Sequence, residues 1–313
     1  MTFEQLSIFV AVAEREHVTR AAAAIGLTPS AVSAAIRNLE AYYRVALFHR
    51  VGRRIELTGE GRLFLDEARA TLARARAAEL MLSELGGLSR GRLAVHASQT
   101  VASYWLPPVL MRFHADYPGV ELELTIGNTR SVAQAVNMGT ADIGFVEGRV
   151  ADPTLAITRV ADDALLVATA PDHPFADGRA LSPRQLVEDT GWVMRETGSG
   201  TRSTFEETLR RLGEDPARLR TVLTLPSNEA VLSAVVAGPC AAVVSGIAAA
   251  CRMRDGNLVA ANFALPARQF SLLRHKERRP SRAASMLETI SRDVPSVRAK
   301  PLAWPFPRII CPA

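Results

Sequence analysis

The chain has 313 residues, 48% of them hydrophobic and 22% charged, with a formal net charge of +5. That length suits two or three domains, and the composition supplies a sizeable core, which excludes a disordered chain or a small disulfide scaffold. The mild basic excess permits a nucleic-acid partner without requiring one.

In chain order, residues 1–58 read as a short helical domain. Phe3, Leu6, Phe9, Val10 and Ala13 recur at helical spacing. Thr19 stands before Arg20 and four alanines as an N-cap would. Gly26 ends that helix, and Thr28-Pro29-Ser30 opens another whose apolar stripe is Val32, Ala35, Ile36 and Leu39. Ser30, Ser33, Ala34 and Arg37 fall on its other side. Helix, tight turn and helix describe a helix-turn-helix, whose second helix enters the DNA major groove. The same periodicity also describes a plain αα-hairpin with a solvated polar face. The segments Val45–Phe48 and Ile55–Thr58 flank Gly52-Arg53-Arg54 like two strands around a turn. From Arg37 to Arg54 there are five arginines against the single acid Glu40, a charge concentration suited to phosphates.

The ordered series Arg20-Ala21-Ala22, Leu27-Thr28-Pro29-Ser30-Ala31-Val32-Ser33, Ile36-Arg37-Asn38-Leu39-Glu40, Leu47-Phe48-His49-Arg50 and Leu57-Thr58-Gly59-Glu60-Gly61 resembles the winged helix-turn-helix of LysR-type transcriptional regulators. The resemblance implies that Thr28, Pro29, Ser30, Ser33 and Arg37 sit on the recognition helix, and Arg53 and Arg54 on the wing. Arg37 would contact a base edge or phosphate. The chain departs from the family at Arg44, where a glycine is usual.

Residues 59–88 form a long proline-free helical pattern, with Leu65, Ala68, Leu72, Ala75 and Leu82 on an approximate seam broken by Glu79. Such a helix could pack on its own domain. The resemblance implies instead a linker that pairs with its twin in a dimer or tetramer.

From Arg92 strands alternate with helices. Strands are expected at 92–97, 120–126, 142–146, 155–160, 163–170, 191–194, 220–225, 240–245 and 268–274. Helices are expected near 100–115, 129–138, 200–212 and 227–237. This is α/β alternation with a mostly parallel sheet, whose ligands sit beyond the carboxyl ends of the strands. The resemblance implies two lobes around a cleft, lobe I being 91–161 with 267–299 and lobe II 162–266, and leaves 300–313 as an irregular tail. The expected fold class is therefore α+β multidomain: an all-α winged helix-turn-helix head, a linker helix and two Rossmann-like α/β lobes.

The strongest ligand signal is Arg195-Glu196-Thr197-Gly198-Ser199-Gly200-Thr201-Arg202, between a strand and a helix. Its glycines free backbone N–H groups, its hydroxyls add donors, and the helix N-terminus and Arg195 and Arg202 add positive charge. Those features describe a small oxyanion or carboxylate site, or a capped turn with surface arginines. No Gly-Lys-Ser/Thr follows, so it is not a nucleotide loop. In lobe I, Ser98 and Thr100, then Asn128 and Thr129, repeat hydroxyls at helix starts, as ligand contacts or caps. Phe145 and Glu147 end a strand, either lining the cleft or as a core phenylalanine and a solvated acid. Ser227-Asn228 starts a helix and reads as a cap. Within the family this loop resembles that of regulators of sulfur assimilation or carbon fixation, whose effectors are small anions.

The six histidines are scattered, and no metal cluster, nucleophile elbow or dinucleotide fingerprint occurs. No cofactor or enzymatic activity is expected. The start of the chain lacks a basic secretion signal, no run approaches the roughly 20 apolar residues of a membrane span, and Cys240, Cys251 and Cys311 are unpaired by spacing. A cytoplasmic regulator is expected, whose partners are double-stranded DNA, a small anionic effector, further copies of itself and RNA polymerase, with no membrane. An oxyanion-binding receptor and an α/β enzyme fused to a DNA-binding module are the competing readings.

Overall fold

The structure, a computed structural model, describes residues 1–51, 54–85 and 91–293. The head with its long helix, and the two-lobed sensor half, form separate compact units. In the head, α1 (Phe3–Arg15) starts on a capping box in which Thr2 and Gln5 exchange bonds of 3.0 and 3.1 Å. Helix α2 (Val18–Ala24) begins earlier than expected. Its cap is His17, whose extended backbone lets Nδ1 accept the Arg20 N–H, and Thr19 lies inside the helix. Gly26, at φ +69°, reverses the chain after α2, and Leu27 N–H bonds back to the Ala22 carbonyl at 3.0 Å. Helix α3 (Pro29–Tyr43) has Thr28 as N-cap and proline at its first position, and buries Val32, Ile36 and Leu39. At its end Arg44 adopts φ +55°, ψ +39°, taking the left-handed conformation that the family's glycine would hold.

Strands β1 (Phe48–Val51) and β2 (Arg54–Leu57) form the wing, antiparallel and in register from Phe48↔Leu57 to Val51↔Arg54. The wing is pinned to α3 by Glu40, whose Oε1 accepts the Leu47 and Phe48 N–H groups at 2.8 and 3.0 Å. The one acid of the arginine-rich stretch is thus a structural anchor.

Helix α4 (Gly59–Leu85) begins against the wing: a Cβ on Gly61 would meet the Leu47 carbonyl oxygen at 2.1 Å. Leu65 and Ala68 are buried in the head's own core and Leu72 packs against it, while Arg69 bonds Glu14 of α1 at 2.9 Å. Those positions of the expected intermolecular seam are therefore spent inside the head, because the apolar stripe continues the face that covers Phe9, which packs at a tilt against Phe48 and Phe64. The side chains of Glu79 and Leu82, and residues 86–87 and 300–313, lie outside the described residues.

In the sensor half, lobe I contains β3 (Gly91–Ser98), a π-helical turn (Val101–Trp105), α5 (Leu106–Asp116), β4 (Val120–Gly127), α6 (Thr129–Met138), β5 (Ile143–Glu147) and β6 (Leu155–Asp163). Lobe II follows with β7 (Leu165–Thr169), α7 (Pro183–Glu188), β8 (Gly191–Arg195), α8 (Gly200–Arg211), β9 (Arg220–Leu225), α9 (Asn228–Ala237), β10 (Cys240–Ser245), α10 (Gly246–Arg254) and β11 (Val259–Ala260). The chain returns to lobe I as β12 (Arg268–His275) and α11 (Arg282–Arg292).

The sheets run β4-β3-β5-β12-β6 and β11-β7-β10-β8-β9. In each, the strand that arrives from the other lobe is reversed: β12 is antiparallel to β5 and β6, and β7 to β10 and β11. The parallel strands β3, β4 and β5, and β8, β9 and β10, carry the helices. The lobe change falls at Ala164, since β6 stays in the first sheet through Asp163, which pairs with Arg268. The carboxyl ends of the parallel strands, at Ser98, Glu147, Arg195 and Ser245, meet where the lobes join.

Candidate functional site

The candidate DNA face is the start of α3. Thr28, Pro29, Ser30 and Arg37 are exposed and Ser33 is half-buried, with Thr28 and Ser30 hydroxyls 3.1 Å apart. Ser30, Ser33 and Arg37, three and four apart, share the side of α3 away from Val32, Ile36 and Leu39, and Thr28 and Pro29 sit at its N-terminal end. Arg50 on β1 is also exposed. Arg53 and the side chain of Arg54 lie outside the described residues.

Between the lobes, the expected effector residues separate into two groups. The inner group surrounds Glu147, which is 1% exposed. Ser98 Oγ donates to its carboxyl, and Thr100 Oγ1 donates at 3.3 Å. Arg268 stands 3.8 Å from it, bonds Asp163 at 2.7 Å and donates to Thr201 Oγ1 of α8 at 2.8 Å. Ser245 closes the set on Asp163 at 2.5 Å. Burial pushes the Glu147 pKa up, and Arg268 and Arg195 oppose this only in part.

A second interlobe latch lies beside it. Asn228 Nδ2 donates to Thr100 Oγ1 at 3.0 Å, and its backbone N–H to Gln99 Oε1 at 2.9 Å. Glu229 accepts from Gln99 and from Tyr104, each at 2.7 Å. Arg195 is buried and bonds Asn228 Oδ1 at 2.9 Å and Glu196 at 2.8 Å, so its charge is met within the chain.

The outer group lines a cavity of about 610 Å³ between α6 and α8, walled by Thr129, Arg130, Arg149, Gly198, Ser199 and Arg202 among others. Ser199 caps α8 without making the usual side-chain cap bond. Its hydroxyl is buried and has no hydrogen-bond partner among the described residues. Arg202 uses Nε on Glu206 at 2.7 Å and Nη1 on the Arg195 carbonyl at 3.2 Å. Gly200 permits the lobes to touch: a Cβ there would lie 2.1 Å from the Glu147 carbonyl oxygen and 2.7 Å from Thr129 Oγ1.

Two expectations change. Phe145 is fully buried in the lobe I core beside Trp105 and Phe270 and does not line the cleft, since the strand that ends in the site carries it one pleat further in. Asn128 is a cap, its Oδ1 accepting the Ser131 N–H at 3.0 Å. Asn228 is the reverse case: Ser227 is the cap and Asn228 is an interior site residue. Arg268 and Asp163 carried no local motif. Their partnership depends on β6 and β12 pairing across 105 residues, which no spacing rule reveals. Among the described residues no cluster suited to a metal ion occurs, and no helix is long and apolar enough to cross a membrane.

A winged helix-turn-helix, a long helix and two α/β lobes meeting at the carboxyl ends of their strands define a DNA-binding regulator with a small-molecule sensor. The chain belongs to the LysR family. Residues 3–62 match the bacterial regulatory helix-turn-helix protein model of that family, and residues 86–294 match the LysR substrate binding domain. Among relatives, YeiE of Escherichia coli K12, an HTH-type transcriptional regulator, is 36% identical over 75% of this chain and 77% of its own. The RuBisCO operon transcriptional regulator of Allochromatium vinosum is 34% identical over 78% and 80%. CysL of Bacillus subtilis, another transcriptional regulator, is 32% identical over 78% and 81%. In fold, full-length CbnR complexed with its target DNA superposes with a TM-score of 0.67 at 23% identity, covering 93% of this chain and 99% of that one. The CcmR regulatory domain of Synechocystis PCC6803 in complex with 2-PG gives 0.59 at 24% identity, covering 66% and 100%.

Proposed function

We propose that this regulator is cytoplasmic, is not an enzyme, and responds to a small oxyanion or carboxylate seated in the outer interlobe cavity. The observation that carries the reading is Ser199: a buried hydroxyl without a partner among the described residues, at the open N-terminus of the 12-residue helix α8, on the wall of a cavity whose three arginines, Arg130, Arg149 and Arg202, outnumber its two acids, Asp152 and Glu206. Buried hydroxyls are rarely left unpaired, and helix N-termini favour anions through their free N–H groups and dipole. The cavity takes one wall from each lobe, so a ligand there binds the closed arrangement better than an open one. Only such a difference can move a conformational equilibrium and reach the DNA-binding head.

On this reading the protein binds double-stranded DNA through the cap residue Thr28, Pro29, Ser30, Ser33 and Arg37 of α3 and the wing arginines Arg53 and Arg54, self-associates as a dimer or tetramer, and acts on RNA polymerase. An exported oxyanion receptor is disfavoured by the DNA-binding head in the same chain. Titration calorimetry with sulfite, sulfate, phosphate monoesters and small carboxylates tests the site. At least one should bind, with Arg202→Ala and Ser199→Ala each losing about 1–3 kcal/mol, the usual cost of unpairing a buried charged contact. Binding that ignores both substitutions, or preference for an apolar or cationic ligand, would refute it.

A further inference from the structure

We propose that the inner interlobe pocket is a small-carboxylate site whose occupant is built into the chain: the side chain of Glu147 takes the seat of an external ligand. This site is separate from the outer cavity, whose lining does not include Glu147.

Glu147 ends β5, at the carboxyl edge of a parallel strand, where open α/β sheets hold their ligands. Donors of lobe I converge on it, and two of them are tied in turn to lobe II. Ser98 and Thr100 come from the β3 end in lobe I. Arg268, from the returning strand, faces it while bonding Thr201 of lobe II. Thr100 in turn receives Asn228 of lobe II, so the hydroxyl that points at the carboxyl is itself oriented from across the cleft. Ser98, Thr100, Thr201, Asn228 and Arg268 are all at least nine-tenths buried, so no bulk solvent competes for the carboxyl. Arg268 Nη2 is buried with no hydrogen-bond partner among the described residues, a spare donor in the same cluster. Hydroxyl pairs and a guanidinium around one carboxyl are the groups that would recognise a free carboxylate. Here they hold the lobes together around a residue of the chain, so this contact needs no ligand.

Truncation tests the idea directly. Glu147→Ala removes one methylene and the carboxylate, and acetate has the shape of the missing atoms. The full chain as wild type, Glu147→Ala and Glu147→Gln is melted in chloride, formate, acetate and propionate at matched ionic strength. A ligand that binds only the folded state raises Tm. Acetate should raise the Tm of Glu147→Ala several degrees beyond its effect on wild type, with formate and propionate weaker. Carboxylates bound in the outer cavity act alike on all three proteins and cancel. Glu147→Gln, whose pocket stays filled, should track wild type. If Glu147→Ala does not fold in chloride, acetate should recover it. The proposal is overturned if acetate gives Glu147→Ala no extra shift, if Glu147→Gln shifts equally, or if Glu147→Ala stays unfolded in acetate as well.

Discussion

Arg44 ends α3 at φ +55°, where a Cβ crowds the backbone and glycine carries no such penalty. Arg44→Gly should therefore stabilise the head by about 0.5–1 kcal/mol, the strain relieved less the extra freedom of the unfolded glycine. Denaturant melts of the two proteins measure it, and a loss of stability would mean that the arginine side chain contributes more than its strained backbone costs. Glu147 gives a pH signature. Burial raises its pKa in the folded chain above the unfolded value. The folded state thus binds that proton more tightly, and the associated stability is fully present below the unfolded pKa and lost as pH rises through the raised one. The stability of wild type relative to Glu147→Gln, which cannot titrate, should fall from acid toward neutral pH. A difference that stays flat would mean the carboxyl is not perturbed. Single residues divided in how legible they were. Thr28, Gly26 and Ser227 act through bonds to chain neighbours, so local pattern reveals them. Glu147 and Arg268 act through partners brought from distant strands, so pattern left the first ambiguous and the second unseen.

At the scale of elements, every strand but the two-residue β11 was legible, as an apolar run such as β5 and β7 or as an alternating one such as β4. The helices α7, α10 and α11 were missed. Helix α7 has only six residues, and α10 buries only alanines, where larger apolar residues would have announced it. Helix α11 buries Ala284, Leu287 and Ile290 at helical spacing, a stripe that was present in the sequence and not read. The stripe on α4 was legible as apolar, but periodicity cannot say whether the surface it meets is its own domain or a second chain. Leu72 packs against the head core, so Leu72→Asp should lower head stability by about 1–3 kcal/mol, in the range of a polar group buried without a partner. Sedimentation that showed lost self-association with an unchanged melt would return Leu72 to an intermolecular seam. Helix α8 approaches lobe I through Gly200. Gly200→Ala forces its Cβ against the Glu147 carbonyl, so the lobes must separate or shift. Effector affinity should fall at least 10-fold, about 1.4 kcal/mol, while the helix itself gains propensity. Unchanged affinity would show that closure does not depend on that contact.

At the scale of the whole molecule, the order of modules was legible because the head series is long and local, and the alternation of strands with helices extends through the sensor half. The two reversed strands, β12 and β7, follow from a topology in which the chain leaves lobe I and returns, and a list of strands cannot distinguish that from a single continuous sheet. On the proposed reading, one chain joins specific DNA binding to an anion sensed between the lobes. The most direct test of that reading is titration of the full-length protein onto genomic DNA fragments, with and without each anion that calorimetry finds to bind. Wild type should protect a defined site, Arg37→Ala should lose about 1–3 kcal/mol there, and the bound anion should change wild-type affinity or footprint but leave Arg202→Ala unmoved. A wild-type footprint indifferent to every bound anion, or an Arg37→Ala protein that binds as tightly as wild type, would contradict the account.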